Sequence, residues 1–394
     1  MSDYNFDEIV DRKNTNSLKF DFNKERGKPE DVLPLWVADM DFRVPKEVRA
    51  ALVTKAEHGI FGYSEPTSSY FKAINNWFNK NYNWDINTSK LVLTPGVVYS
   101  ICIIIRLLTN ENDCVLLSEP VYYPFKSSIV DNHRKVVINE LVFKNDHYEF
   151  DFDDFERKIR ENNVKLYILC NPHNPVGRVW RIEELKRINE ICTRNNVFVV
   201  SDEIHADFVY GDNKHIPYQK INEANSVICT APSKTFNIPG LHISNTYIYD
   251  DDLRKRFILE SNKQGYSQPN IMGIVGCEAA YKYGQSWLID LKEYLLGNIN
   301  FVDKFLKENI SQIKLIKPEG TYLVWLDFKA LGFNDKDLNE LIISKAKLWF
   351  DGGTMFGKSG SGYQRMNIAT SRSVLEQALN QLKKAIINFN IDKL

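Results

Sequence analysis

Lys234 stands in Thr230-Ala-Pro-Ser-Lys-Thr-Phe-Asn-Ile-Pro-Gly240, just after the apolar run Val227-Ile-Cys229. A second run, Val197-Phe-Val-Val200, leads to Asp202, and a third, Leu166-Tyr-Ile-Leu-Cys170, leads to Asn171-Pro-His-Asn-Pro-Val-Gly177. Each run has the length and composition of a buried strand. Three strand ends therefore offer an amine, a carboxylate and a pair of amides. This set suits pyridoxal 5'-phosphate (PLP) chemistry, which needs a lysine for covalent attachment and an acid for the pyridinium nitrogen.

Further residues fit the same chemistry. Gly96, in Leu93-Thr-Pro-Gly-Val-Val-Tyr-Ser100, precedes a helical apolar run, where backbone N–H groups and a helix N-terminus favour a phosphate. Taken alone, it reads more readily as a plain strand-to-helix turn. Tyr122, just past a strand, has the aromatic face that stacks on a flat ring. Prolines 172 and 175 bias Asn171 and Asn174 away from helix, so their amides sit in extended or turn geometry and can bond a phenolic oxygen. His205, three residues after Asp202, can point into the same crevice. Arg365 lies inside the apolar segment Tyr363-Gln-Arg-Met-Asn-Ile-Ala-Thr370, where a buried guanidinium needs an anion. A substrate carboxylate or an internal ion pair would serve.

The elements that must carry these residues alternate. Strands are expected at Lys90–Thr94, Cys114–Ser118, Lys135–Leu141, Leu166–Cys170, Val197–Ser201, Ser226–Thr230 and Thr246–Tyr249. Several are short and lack period-2 alternation, as strands covered on both faces do. Between them lie amphipathic helical patterns such as Ile182–Cys192, with an acidic first turn. The pattern predicts an α/β sheet with helices on both faces over residues 45–290. Residues 291–394 read as a smaller α+β domain, with strands at Tyr322–Phe328 and Gln364–Ala369 and helices at Lys336–Leu348 and Ser373–Phe389. The irregular residues 1–44 are expected to join it.

Bulk composition narrows the class. The chain has 394 residues, 43% apolar and 26% charged, with 50 Lys+Arg against 51 Asp+Glu. That near-neutral balance gives no reason to expect nucleic acid or a membrane surface as a partner. The six cysteines are scattered without a C-x-x-C pair, which predicts free thiols and no zinc or other metal site. The start, Met1 to Glu8, lacks the basic and apolar regions of an export signal, so a cytoplasmic protein is expected.

With these residues in place, the chain resembles fold-type I PLP enzymes, the aspartate aminotransferase superfamily, and within it the MalY/PatB-type cystathionine β-lyases, or C–S lyases. Besides the segments above, the likeness runs through Leu35-Trp-Val-Ala-Asp-Met-Asp-Phe42, Phe61-Gly-Tyr-Ser64, Pro120-Val-Tyr-Tyr-Pro-Phe125, Ser201-Asp-Glu-Ile-His-Ala-Asp207 and Pro318-Glu-Gly-Thr-Tyr-Leu-Val-Trp325. It implies a large α/β/α domain with a mostly parallel seven-stranded sheet, and a homodimer with shared active sites. Lys234 would hold PLP and move protons, Asp202 would pair with the ring nitrogen, and Tyr122 would stack on the ring. Asn174, with Asn171, Ile204 and His205 nearby, would complete the ring's surroundings. Ser233 and the backbone of Gly96, Val97 and Val98 would hold the phosphate, joined by Tyr63 of the other subunit. Arg365 would bind the substrate carboxylate, helped by Asn174 and the segment around Ala38.

Two positions depart from the transaminase pattern. His205 stands where many transaminases have tyrosine, as the MalY/PatB motif does. His242 stands where they have a phosphate-binding arginine, which removes one fixed positive charge. The implied activity is α,β-elimination from L-cystathionine and related S-substituted L-cysteines. Amino transfer to a 2-oxo acid, or a PLP-binding regulator with weak lyase activity, are the alternatives on the same scaffold.

Overall fold

The computed structural model describes residues 4–392. The segment Met1–Asp3 of the expected N-terminal arm lies outside the described residues. Seven strands form the large sheet: β1 (Leu91–Thr94), β2 (Cys114–Glu119), β3 (Lys135–Glu140), β4 (Leu166–Cys170), β5 (Phe198–Asp202), β6 (Ser226–Thr230) and β7 (Ser244–Ile248). Their order is β1-β7-β6-β5-β4-β2-β3. Strand β7 runs antiparallel to both neighbours, and the other pairs are parallel. Every residue of β4, β6 and β7 is buried; β4 and β6 are mostly apolar on both faces, whereas β7 (Ser244-Asn-Thr-Tyr-Ile248) buries polar side chains that find hydrogen-bond partners. Helices cover the sheet. Val97–Leu108 packs on one face with Ile101, Ile103, Ile104 and Ile105 fully buried. Ile182–Arg194 buries Leu185, Ile188, Ile191 and Cys192 elsewhere in the core.

The smaller sheet comprises β8 (Lys314–Ile316), β9 (Leu323–Asp327), β10 (Asp351–Gly352) and β11 (Tyr363–Asn367), in the order β8-β9-β11-β10. Every pairing in it is antiparallel. The helix Gln285–Asn309 runs unbroken through residue 290 and reaches this region.

One expected helix differs. In place of Lys336–Leu348, the chain makes a short helix, Asp335–Glu340, then a π-helical turn, Leu341–Lys345. Lys347 takes a left-handed φ of 54°, and Leu348–Trp349 pairs in parallel with Leu33–Pro34. Strand pairing with the N-terminal segment thus ends the helix early, a tertiary effect that overrides local helical periodicity. Strands β8 and β10, too short to produce a pattern, have no counterpart in the sequence expectation.

The two sheets are joined by a small set of contacts. Gly177 has φ +72°, and a Cβ there would stand 2.7 Å from Pro318 Cβ. Its carbonyl accepts from the amides of Glu319 and Gly320 at 2.8 and 2.9 Å. The Glu319 carboxylate accepts from Val179 N at 2.9 Å and pairs with Arg178 at 3.0 Å. Here the Asn-Pro loop after β4 is clamped to the turn that enters β9.

Candidate active site

A cavity of about 330 Å³ opens at the carboxyl ends of the large-sheet strands. This is where open α/β sheets place their ligands. Its lining combines residues from separate loops: Gly96, Val97 and Val98 after β1, Tyr122 after β2, and Asn174 after β4. Asp202, Ile204 and His205 come from the end of β5, and Ser233 and Lys234 follow β6. Ala38 closes it from the N-terminal segment.

Lys234 lies in the short turn Pro232–Thr235. Its Nζ donates to the Ala38 carbonyl at 2.7 Å, and that carbonyl also accepts from the Tyr322 hydroxyl at 3.0 Å. Burial lowers the amine to about 8, opposed by the negative charges of Asp39 and Asp202 and reinforced by Arg365. Burial raises Asp202 to about 7, although its Oδ1 accepts from the Ile204 amide at 3.0 Å and Lys234 favours its charge. Burial, then Lys234 and Arg365, lower His205 to about 3, so its ring is neutral at physiological pH. Its buried Nδ1 has no hydrogen-bond partner.

Gly96 precedes the helix Val97–Leu108, and nothing lies within 4 Å of where its Cβ would be. A side chain there would project into open space. Below, Thr94, Ser100, Ser244 and Thr246 form a buried chain of hydroxyl contacts at 2.6–2.8 Å that ties the turn to β7.

Three expected residues do not line this cavity. Asn171 is buried beneath it, with Nδ2 donating to the Ile216 carbonyl at 3.1 Å and Oδ1 unpaired. Arg365 is buried beside it and reaches it through Asn174, whose Oδ1 accepts from Nη1 at 3.1 Å. Tyr63 is 96% exposed and lies in a separate surface depression with Phe61, Gln268 and Met272. Conversely, Pro95, Cys170, Ala231, Pro239, His242 and Ile243 line the cavity without having been expected there. His242 had a signal, since it occupies a position noted in the sequence. Asp39, which acts on Lys234, had its signal in the segment Leu35–Phe42. Its carboxylate is held by Arg12 at 2.6 Å.

These elements define a class. The chain belongs to the aminotransferase class I and II family, which matches residues 30–382. Among curated relatives, it is 38% identical to the cystathionine beta-lyase PatB of Bacillus subtilis, over 97% of this chain and 100% of that one. Two PLP-bound crystal structures superpose closely. Cystalysin from Treponema denticola is 36% identical, with a TM-score of 0.94 over 98% of this chain and 99% of that one. A protein of Clostridium difficile 630, named as a possible aminotransferase, is 43% identical, with a TM-score of 0.94 over 97% of this chain and 100% of that one. Among the described residues, no helix is long and apolar enough to cross a membrane.

Proposed function

We propose that this chain is a PLP-dependent carbon–sulfur β-lyase. It cleaves L-cystathionine and related S-substituted L-cysteines to a thiol, pyruvate and ammonia. The observation that carries the reading is Lys234, a buried amine lowered to about 8 and facing Asp202 across one cavity, in a chain 38% identical to a cystathionine beta-lyase along its whole length.

The residues fit PLP. Asp202 is a buried carboxylate with one backbone donor, suited to a protonated ring nitrogen. Tyr122 would cover the ring, and Asn174, Ile204 and His205 line its surroundings. Asn171 would support that loop from beneath. Ser233 and the amides at Gly96, Val97 and Val98 would hold the phosphate at a helix N-terminus. Bound PLP supplies the electron sink that makes the substrate Cα–H bond acidic.

The chain's own groups then have distinct tasks. Arg365 holds the substrate carboxylate, with Asn174 and the Ala38 segment fixing its position. Lys234, with an amine near neutrality, accepts the Cα proton. The Cβ–S bond breaks with its electron pair leaving on sulfur, and the Lys234 ammonium is the proton donor in reach of the thiolate. Released 2-aminoacrylate takes up water to give pyruvate and ammonia. The neutral His205 adds no positive charge that would further depress Lys234.

The reading extends to assembly. The chain acts as a cytoplasmic homodimer in which the exposed Tyr63 reaches the phosphate site of the other subunit. Residues 45–290 form the cofactor-binding domain, and 1–44 with 291–394 the smaller one, linked through the helix Gln285–Asn309. The decisive assay supplies cystathionine with no 2-oxo acid. Pyruvate release is expected. Amino transfer dependent on a 2-oxo acid, without pyruvate, would overturn the lyase in favour of an aminotransferase.

A further inference from the structure

Arg365 meets a counter-charge inside the protein. Its Nη2 pairs with the Asp351 carboxylate across β11 and β10, whose register sets the two residues opposite one another. Both side chains are buried. Nη2 also donates to the Trp36 carbonyl at 2.9 Å, and Nη1 donates to Asn174 Oδ1 at 3.1 Å. The guanidinium carbon lies 4.7 Å from the centre of the Phe356 ring. Only Nε is left buried and without an acceptor.

An arginine whose sole anion is the substrate grips a carboxylate with its full charge. Arg365 is instead neutralised before any substrate arrives. Nε is the one guanidinium nitrogen without an acceptor, and an incoming carboxylate must share one cation with Asp351, where two anions on one buried guanidinium repel. We infer that Asp351 is the built-in counter-anion of the substrate-carboxylate arginine, a positioning residue that orients Arg365 and moderates its grip on carboxylates. This inference rests on the assignment of Arg365 to the substrate carboxylate. A weaker ground-state grip has a use, because binding that is equal in substrate and transition state adds nothing to turnover, and the product also carries a carboxylate.

The test compares two ligands without a leaving group, L-alanine and L-alaninamide, titrated into holoenzyme and read by its absorbance change at equal concentrations of neutral amine. The ratio of their affinities isolates the carboxylate. In Asp351→Asn, which keeps an acceptor and removes the charge, the preference for alanine should rise at least about tenfold. Asp351→Glu should keep the wild-type ratio. An unchanged or reduced ratio in Asp351→Asn overturns the inference, as does a rise in Asp351→Glu equal to that in Asp351→Asn. Should Asp351→Asn fail to fold, the wild type decides. A preference for alanine below about tenfold supports a neutralised arginine, and a larger one overturns it. Arg365→Lys, run in parallel, tests the underlying assignment. If its ratio collapses while Asp351→Asn is unchanged, only the counter-anion fails. Because neither ligand can eliminate, the result is independent of C–S cleavage.

Discussion

Asp202 and Lys234 reach the cavity from the ends of neighbouring strands, β5 and β6, and each has one backbone partner: the Ile204 amide for Asp202 and the Ala38 carbonyl for Lys234. Arg365, on the smaller sheet, is held by Asp351, by Asn174 and by the Trp36 carbonyl, 329 residues away in sequence. The sheet-end wall leaves its ionisable groups short of partners, so burial shifts them to about 7 and about 8. The arginine corner satisfies its charge internally. Groups left unsatisfied are ready for a ligand, whereas groups already paired hold geometry. Changes in the wall should therefore cost activity more than stability, and changes in the corner should cost both.

Lys234→Ala probes this most severely. Turnover should fall by at least about 10²–10⁴, the range for loss of a positioned acid–base group, and the absorbance of lysine-bound PLP should vanish. Its thermal midpoint should hold, since a buried, poorly partnered amine is removed. C–S cleavage retained with PLP bound would sink the assignment.

Asp202→Asn tests the wall through pH. In the folded apoprotein Asp202 titrates at about 7, against about 4 when unfolded. Between these values the unfolded chain releases a proton that the folded chain keeps. Wild-type apoprotein should therefore lose stability as pH rises through this window and level off above it, by up to about 4 kcal/mol relative to the Asn variant. Urea midpoints at pH 4.5 and 7.5 measure the difference. Parallel pH slopes would erase the contrast between wall and corner.

Arg365→Lys should raise KM by up to about tenfold, because an ammonium cannot hold Asp351, Asn174 and the substrate carboxylate at once, and it should also lower the thermal midpoint. A KM change with no stability change would show that the corner behaves like the wall. The smallest effect is expected at Tyr122. Tyr122→Ala should weaken PLP binding about five- to tenfold, the scale of one stacking contact, as read by cofactor titration.

Much of the wall was legible because its signals are local. Strand β4 lies where its apolar run predicts, and so does β6, each followed at once by the residues that face the cavity. The Asn-Pro loop carries its own geometry in its prolines. Asn171 shows the limit of that reasoning. It shares a motif with Asn174, yet it points beneath the cavity to Ile216, and a motif does not specify which amide faces outward. The corner was legible only as an arginine in want of an anion. Asp351 lies in a two-residue strand, too short for periodicity to register, and nothing near Arg365 in sequence names it.

By itself, then, the sequence determined the sheet, the strand ends, and the lysine and carboxylate placed there, because strands buried on both faces and the turns after them are written in adjacent residues. Only the tertiary structure decided what Arg365 pairs with, how Asp39, held by Arg12, comes to act on Lys234, and where the helix after Asp335 stops. Those outcomes depend on segments packing together that are 14 residues apart for Arg365 and Asp351 and 196 apart for Ala38 and Lys234, and a pairing of that kind leaves no periodic trace in either partner.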